Sequence, residues 1–183
     1  MKRLNISITK PGSITQAIKQ LEEYRDSVNA KTTLFIEKLL HEAQITAELN
    51  CGEYGGYITF SKVLNPSIDG CVGLFIATDA QKIVRVWQYQ GGFRSAEVSP
   101  LLMSEFGSGW LSQVKFPEMK GIVGQGTFPG GTHAFDPHGW FWKDEDGNKH
   151  HSIGEEPTYP MYSAMMAVMY SIDEKAREVF KNG

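Results

Sequence analysis

The longest apolar pattern in the chain follows a helical period near the N-terminus. Behind the breaker Pro11-Gly12, apolar residues recur every three or four positions from Ile14 to Val28 and again from Leu34 to Ala47. Asn50-Cys51-Gly52 ends the pattern, with glycine at the position that closes many helices. An unbroken helix over this range has roughly 35 residues and is ~50 Å long. Residues 29–33 are the weakest part of the stripe, so a break there is the alternative.

The predicted length of this helix exceeds the size of the domain that it belongs to. A globular chain of 183 residues is only about 35–40 Å across. A helix of ~50 Å therefore projects from the domain or packs against something outside it.

Strand patterns occupy the start and the middle of the chain. Leu4, Ile6 and Ile8 alternate with polar residues, and so do the apolar residues of Tyr57 to Leu64 and of Lys82 to Tyr89. Cys71 to Thr78 is nearly all apolar, which predicts a central strand. Trp140 to Ile153, with a turn at residues 144–147, predicts a hairpin. The short connections favour antiparallel pairing.

A second helix is predicted behind Tyr159-Pro160 and extends to about Phe180. Its apolar residues share one face; they are Tyr162, Met165, Met166, Met169, Ile172, Ala176 and Val179. We interpret its methionines, Met161, Met165, Met166 and Met169, as core packing against the sheet rather than as an adaptable binding surface. The patterns predict a single α+β domain over residues 1–183. In it, an antiparallel sheet of about four to six strands packs against the long N-terminal helix and the C-terminal helix.

Residues 107–139 form a long segment that is rich in glycine and proline and shows no periodicity. A structureless connection of this length is uncommon in compact domains and is usually functional or disordered. Disordered segments lack aromatic residues, whereas this segment and its hairpin contain Trp110, Phe116, Phe128, Phe135, Trp140, Phe141 and Trp142. We interpret it either as an arm that orders against a partner or as a loop folded over its own core.

Composition and charge narrow the classes of function. The chain carries 18 Lys and Arg against 21 Asp and Glu, a net charge of −3, and its densest basic group is Lys2-Arg3. Sequence-specific nucleic-acid binding is therefore not expected. No signal-like segment or apolar run of membrane-spanning length occurs, so we expect no membrane partner and a cytoplasmic site of synthesis. Cys51 and Cys71 predict two small buried or half-buried thiols in a reducing compartment.

The candidate chemical motifs are weak. Gly121 to Thr127 lacks the Gly-Lys-Ser/Thr ending of a phosphate loop, and no Gly-x-Ser-x-Gly element is present. No catalytic residue or cofactor is therefore expected. His133, Asp136 and His138 could supply two or three ligands to zinc, although their spacing matches no established signature. A metal-dependent hydrolase at these residues and a monomeric binding module remain the alternative functions.

Several motifs of the second half occur together in a known family. Ser104-Glu105-Phe106-Gly107-Ser108-Gly109 resembles the Glu-Phe-Gly-Thr-Gly motif of a bacteriophage tail-component family, the tail-completion, neck or head–tail joining proteins of long-tailed phages and prophages. Further along, Gly130-Gly131-Thr132-His133, Gly139-Trp140-Phe141-Trp142 and Pro157 to Tyr162 follow in the order that the family shows. Ser108 replaces a threonine, Trp142 replaces an aromatic that is more often tyrosine, and Trp110 to Gly121 is less similar.

The resemblance implies a structural virion protein without enzymatic activity. It implies a homo-oligomeric ring between the head connector or adaptor and the tail terminator or tail-tube protein, in the neck of a virion assembled in the host bacterial cytoplasm. Glu105 to Gly109 then marks a backbone turn near a subunit contact, in which Gly107 and Gly109 permit a positive φ. The expected contact residues are Glu105, Phe106, Gly107, Gly109, Trp110, Phe128, Phe135, Trp140 and Trp142.

Overall fold

The protein is an α+β chain with a long N-terminal helix and a C-terminal helix, as predicted. The computed structural model describes residues 12–89, 92–111, 137–144 and 146–181. The helices are α1 (Ser13–Leu49), a 3₁₀ helix (Gly52–Tyr57), α2 (Pro100–Phe106) and α3 (Pro160–Phe180). The strands are β1 (Ile58–Ser67), β2 (Gly70–Asp79), β3 (Ile83–Tyr89), β4 (Gly92–Val98), β5 (Trp140–Lys143) and β6 (Lys149–Ser152). The predicted strand at residues 4–8 and most of the predicted loop, residues 112–136, lie outside the described residues.

Helix α1 is continuous over 37 residues, so the predicted helix is confirmed and the alternative of a break is not. The weak stretch is helical, and two of its hydroxyls bond back to the preceding turn. The hydroxyl of Thr32 donates to the carbonyl of Val28 at 2.9 Å, and that of Thr33 to the carbonyl of Asn29 at 3.0 Å. The side chain of Asn29 in turn donates to the carbonyl of Ile68 in the β1–β2 turn at 3.0 Å.

The described strands pair two by two, as the sheets β1–β2, β3–β4 and β5–β6. In the second sheet Ile83 faces Val98, and in the third Trp140 faces Ser152, both in antiparallel register. Only two residues join β1 to β2, which makes that pair antiparallel too. The predicted hairpin at residues 140–153 is confirmed, but a single sheet of four to six strands is not.

Strand β2 was predicted to be central, and among the described residues it pairs with β1 alone. Its side chains are alternately exposed and half-buried, and Val72, Leu74 and Ile76 face outwards. A strand with one partner and one covered face alternates in this way, whatever the hydrophobicity of its outer residues. Strand β4 was not predicted, because its sequence mixes Arg94, Ser95 and Glu97 with apolar residues.

The chain divides into two compact units, each described here by itself. The first contains residues up to His41, residues 62–74 and residues from Tyr170 onwards; the second contains residues 42–61 and 75–169. The core of the second unit is a buried cluster of Cys51, Tyr54, Ile58, Val98 and Met103, which come from the 3₁₀ helix and its flanks, β4 and α2.

A second cluster in the same unit packs α1 against α3 through small residues. Ala43, Ala47 and Ala164 are all buried, and Phe60 and Phe75 pack against them. The two phenylalanine rings stack with centroids 5.6 Å apart. Alanine at these three positions lets the two helices approach closely, so most of the apolar contact is supplied by the neighbouring strands.

The first unit is held by contacts between the middle of α1, the end of α3 and the turn end of the β1–β2 hairpin. The ring of Phe35 contacts that of Phe180 edge to face, with centroids 6.0 Å apart. Lys38 Nζ lies 2.7 Å from the carboxylate of Glu178. Gly73 of β2 lies directly on α1, because a Cβ there would come within 2.5 Å of the Ile36 side chain.

The large apolar face predicted for α3 is not its packed face. Tyr162, Met165 and Met169 are 54%, 50% and 59% exposed, whereas Ala164 is buried within the second unit. The prediction that the methionines of α3 pack against the sheet is therefore wrong for Met165 and Met169, whereas Met161 and Met166 are half-buried and Val179 is buried. The helix instead turns its small residue inwards, because closely packed helices leave room only for small side chains.

The close approach at Gly73 gives a stability test. Gly73→Ala would place a methyl group 2.5 Å from Ile36 Cγ2 and 3.0 Å from Leu40 Cδ1, and we expect overpacking to cost about 1–3 kcal/mol of the free energy of unfolding. Gly56→Ala is the matched control, since nothing lies within 4 Å of a Cβ at that position. Urea unfolding followed by circular dichroism measures both. Equal stability of the two variants would show that β2 does not pack on α1 as described.

Candidate functional site

The motif from Ser104 to Gly109 begins in the short helix α2, and the first turn of this helix is capped. Ser99 accepts a hydrogen bond from the amide of Leu102 at 3.2 Å, and Pro100 follows it at the first helical position. The carboxylate of Asp79, at the end of β2, accepts from the amide of Leu101 at 2.9 Å and from the Ser99 hydroxyl at 3.0 Å. Burial acts to raise the pKa of Asp79, but hydrogen bonds from Lys82, Leu101 and Ser99 outweigh it and lower the pKa.

Glu105, in the last turn of α2, caps the distant helix α3. Its two carboxylate oxygens accept from the backbone amides of Met161 at 2.8 Å and Tyr162 at 3.0 Å. These amides belong to the first turn of α3, where backbone donors have no partner within the helix. A negative charge at this end also interacts favourably with the helix dipole. Glu105 therefore fixes the start of α3 relative to α2.

Ser104, one position earlier, holds the segment that enters α3. Its carbonyl accepts from the amides of Thr158 at 2.7 Å and Tyr159 at 3.1 Å, and its hydroxyl donates to the carbonyl of Cys51 at 3.2 Å. Tyr159 has a φ of 58° and is the only non-glycine residue with a positive φ among the described residues. That conformation is strained for a residue with a Cβ, and the two hydrogen bonds to Ser104 help to hold the segment there.

The turn that follows α2, residues 107–109, pairs with the segment 153–155. Ser108 and Glu155 exchange backbone hydrogen bonds of 3.0 and 3.3 Å, and the amide of Trp110 donates to the carbonyl of Ile153 at 2.9 Å. The backbones approach so closely that a Cβ on Gly107 would overlap the Glu155 carbonyl, and one on Gly154 would overlap the Ser108 carbonyl. Glycine is therefore required at both positions for space as well as for φ.

A polar cluster closes the other side of this pairing. The phenol of Tyr54 donates to the carboxylate of Glu155, and Arg85 donates to the phenol oxygen at 3.1 Å. Burial, followed by the neighbouring Glu155, raises the pKa of Tyr54, so the phenol stays protonated and acts as a donor. Arg85 Nη2 lies 3.6 Å from Glu155 Oε1, and each of the two side chains is about two-fifths exposed. This ion pair therefore contributes little to stability by itself.

The structure brings only part of the predicted contact set together. Gly107 and Gly109 have φ of 66° and 63° and lie buried with Ser108, so the predicted turn is confirmed. Glu105, Phe106 and Trp110 are half-buried beside it. Trp140 and Trp142 lie in β5, opposite Ser152 and His150, while Phe128 and Phe135 lie outside the described residues. Contact of any of these residues with another subunit stays a prediction.

The metal hypothesis falls largely outside the described residues, since His133 and Asp136 are not among them. His138 is exposed, and its carbonyl lies 2.8 Å from Nε2 of His151. His150 bonds to Asp144 at 2.8 Å and, together with Asn148, lowers the pKa of that carboxyl to about 2. In the described part of the chain, no group of three or more His, Cys, Asp or Glu side chains is placed to hold a metal ion.

Comparison with known proteins adds no assignment: no family model, curated protein or solved structure matches the chain. Among the described helices, none combines the length and apolarity needed to cross a membrane.

Sequence reasoning missed Tyr54, Arg85, Gly154 and Glu155. Tyr54 and Glu155 are separated by 101 positions, and no local pattern links them. The only available signal was Gly154, an isolated glycine behind a predicted strand, which can mark a close backbone approach.

The cap on α3 can be tested by mutation. We expect Glu105→Ala to lower the free energy of unfolding by about 1–2 kcal/mol, because the amides of Met161 and Tyr162 lose their acceptors. Glu105→Gln keeps one acceptor oxygen and should cost less, and Glu97→Ala, an exposed glutamate of the same unit, serves as the control. Hydrogen exchange should show faster exchange of the two α3 amides in Glu105→Ala. Unchanged exchange would contradict the cap.

The two thiols should react differently. Burial, followed by the charges of Glu48 and Glu105, raises the pKa of Cys51 to about 11, and its Sγ donates to the Ala47 carbonyl at 3.1 Å. Cys71 is only half-buried. Titration with a chromogenic disulfide at pH 8 should therefore modify Cys71 alone in the folded protein and both thiols in urea. Rapid modification of Cys51 in the folded protein would show that its site is open.

Proposed function

We propose that this protein is a structural component of the neck of a tailed bacteriophage or prophage, joining the head connector to the tail. It acts by oligomeric assembly and not by catalysis. The proposal rests on the resemblance of the Glu105–Gly109, Gly139–Trp142 and Pro157–Tyr162 segments to the tail-component family, in the same order along the chain.

The observation that carries the proposal is that each long helix, taken by itself, leaves large apolar side chains exposed. Ile14, Ile18 and Leu21 of α1 and Met165 and Met169 of α3 are all exposed. Contiguous exposed apolar surface in a folded protein marks sites of interaction with other proteins. A protein whose role is assembly needs such surface, and a neck component needs it towards copies of itself and towards its neighbours.

The turn at residues 105–109 supports a role in positioning. Backbone pairing and the Glu105 cap hold it from both sides, while the half-buried Phe106 and Trp110 flank the buried glycines. A rigid turn that presents aromatic side chains suits an interface anchor, because little conformational entropy is lost on binding. Under the proposal, these two residues and the aromatics Phe128, Phe135, Trp140 and Trp142 contact a neighbouring subunit, the connector or adaptor, or the tail terminator or tail-tube protein.

Ring assembly also gives a place to the larger predicted sheet. Each hairpin in the described part of the chain has strands that pair on one side only. Such edges can be extended by a strand of a neighbouring molecule. We infer that such edges pair between neighbouring copies in a closed ring of heterologous contacts, while the sheet of four to six strands within one chain stays a separate prediction. The protein would then reside in the virion neck after assembly in the host cytoplasm.

The proposal predicts that Phe106→Asp abolishes assembly, because a charge would be buried unpaired at the interface. Native mass spectrometry of the full chain, mixed with the connector and tail-tube proteins encoded beside its gene, gives the readout. Phe106→Leu is the matched control and should assemble, and circular dichroism must show that both variants are folded. Assembly of folded Phe106→Asp at wild-type level would exclude this residue from the contact.

The same preparation separates the proposal from its alternatives. Neighbouring genes that encode neither a connector nor a tail tube, or a strict monomer in the presence of those proteins, would overturn the neck assignment. Stoichiometric zinc by elemental analysis would favour the hydrolase.

A further inference from the structure

Glu155 connects the turn at residues 107–109 with two other elements of the second unit. The amide of Ser108 donates to the Glu155 carbonyl at 3.0 Å, and the amide of Glu155 donates to the Ser108 carbonyl at 3.3 Å and to the Ser108 hydroxyl at 3.1 Å. The carboxylate of Glu155 accepts from Tyr54 and pairs with Arg85. One residue therefore joins the turn to the 3₁₀ helix and to strand β3.

The turn and the segment around Glu155 leave each other little room. A Cβ on Gly107 would overlap the Glu155 carbonyl, and a Cβ on Gly154 would overlap the Ser108 carbonyl. Ser108, which is 4% exposed, lies between these two contacts. Closely packed groups transmit displacement, so a movement of Glu155 also moves the turn.

Tyr54 is the fixed end of this connection. Its side chain is 5% exposed and belongs to the buried core cluster of the unit. Its hydroxyl donates to the Glu155 carboxylate and accepts from Arg85 at 3.1 Å. A buried hydroxyl requires a partner, and the carboxylate supplies it. The position of the Tyr54 ring in the core therefore determines where the carboxylate of Glu155 lies.

The ion pair with Arg85 does not fix Glu155 to the same degree. Both of its side chains are about two-fifths exposed, and ion pairs of this kind contribute little. A hydrogen bond from a buried donor to a charged acceptor is stronger. We propose that Tyr54 is a positioning residue for the turn at residues 107–109 and that it acts through the carboxylate of Glu155.

The position of the turn matters for assembly under the proposed function, on which this consequence rests. The half-buried Phe106 and Trp110 flank the turn and contact a neighbouring subunit under that proposal. The amide of Trp110 donates to the carbonyl of Ile153, two residues before Glu155, at 2.9 Å. Without the bond to Tyr54, these aromatic side chains would have to be ordered on binding, which weakens association.

Amide hydrogen exchange of the full chain, followed by NMR, tests the positioning without any partner. Tyr54→Phe removes the hydroxyl and keeps the ring in the core. We expect the amides of Ser108 and Glu155 to exchange about tenfold faster in this variant, because a hydrogen bond to a charged group is lost. The amides of Met161 and Tyr162, which are capped by Glu105, should keep their exchange rates.

Tyr57→Phe is the matched control, since Tyr57 belongs to the same 3₁₀ helix and its hydroxyl donates no hydrogen bond in the described part of the chain. Glu155→Gln keeps an acceptor for Tyr54 and should retain slow exchange at Ser108, whereas Glu155→Ala should not. Unchanged exchange at Ser108 in Tyr54→Phe would overturn the inference. Equal acceleration of all protected amides would also overturn it, because that result describes a general loss of stability.

Association with the connector and tail-tube proteins gives the second readout. Tyr54→Phe should associate about tenfold more weakly than the wild type, and Tyr57→Phe should match the wild type. If the wild type does not assemble although exchange changes as expected, the positioning role stands and the neck assignment fails. If Tyr54→Phe exchanges faster but assembles at wild-type level, the consequence for assembly is wrong and the positioning role stands.

Discussion

The second unit depends on two adjacent residues at the end of α2, Ser104 and Glu105. They accept hydrogen bonds from the backbone amides at the start of α3. The Glu105 carboxylate accepts from two amides of the first turn of α3, and the Ser104 carbonyl accepts from the two residues that lead into it. Amides of the first turn have no acceptor within their own helix, so these oxygens replace the missing partners. Because the Ser104 hydroxyl also bonds to the Cys51 carbonyl, the same short segment fixes the end of α1, α2 and the start of α3.

The glycines around this segment follow from the same constraint. Once Ser104 and Glu105 are fixed, the chain must reverse at once and run beside residues 153–155, and neither Gly107 nor Gly154 has space for a Cβ. The motif that resembles a phage tail-component family is thus, in the first place, a packing solution for this chain. Its half-buried aromatics, Phe106 and Trp110, are the residues that contact a neighbouring subunit under the proposed function.

The exposed apolar faces have a different origin. Small residues, Ala43, Ala47 and Ala164, fill the contact between α1 and α3 in the second unit, and Tyr162, Met165 and Met169 of α3 are left exposed. In an isolated chain such faces favour association. The proposed neck role uses this surface for contacts with copies of the chain and with neighbouring virion proteins.

The sequence by itself determined the elements that depend on local pattern. The 3.6-residue period defined α1 and α3, the turn residues defined the β5–β6 hairpin, and the glycines defined the positive φ at residues 107 and 109. The sequence could not determine which face of α3 is packed, because both small and large residues recur at helical spacing and only the distance between the helices selects one of them. Nor could it join Tyr54 to Glu155 or identify Glu105 as a cap for α3. These depend on groups far apart in the chain that meet only when the backbone closes, so they were decided by the tertiary structure.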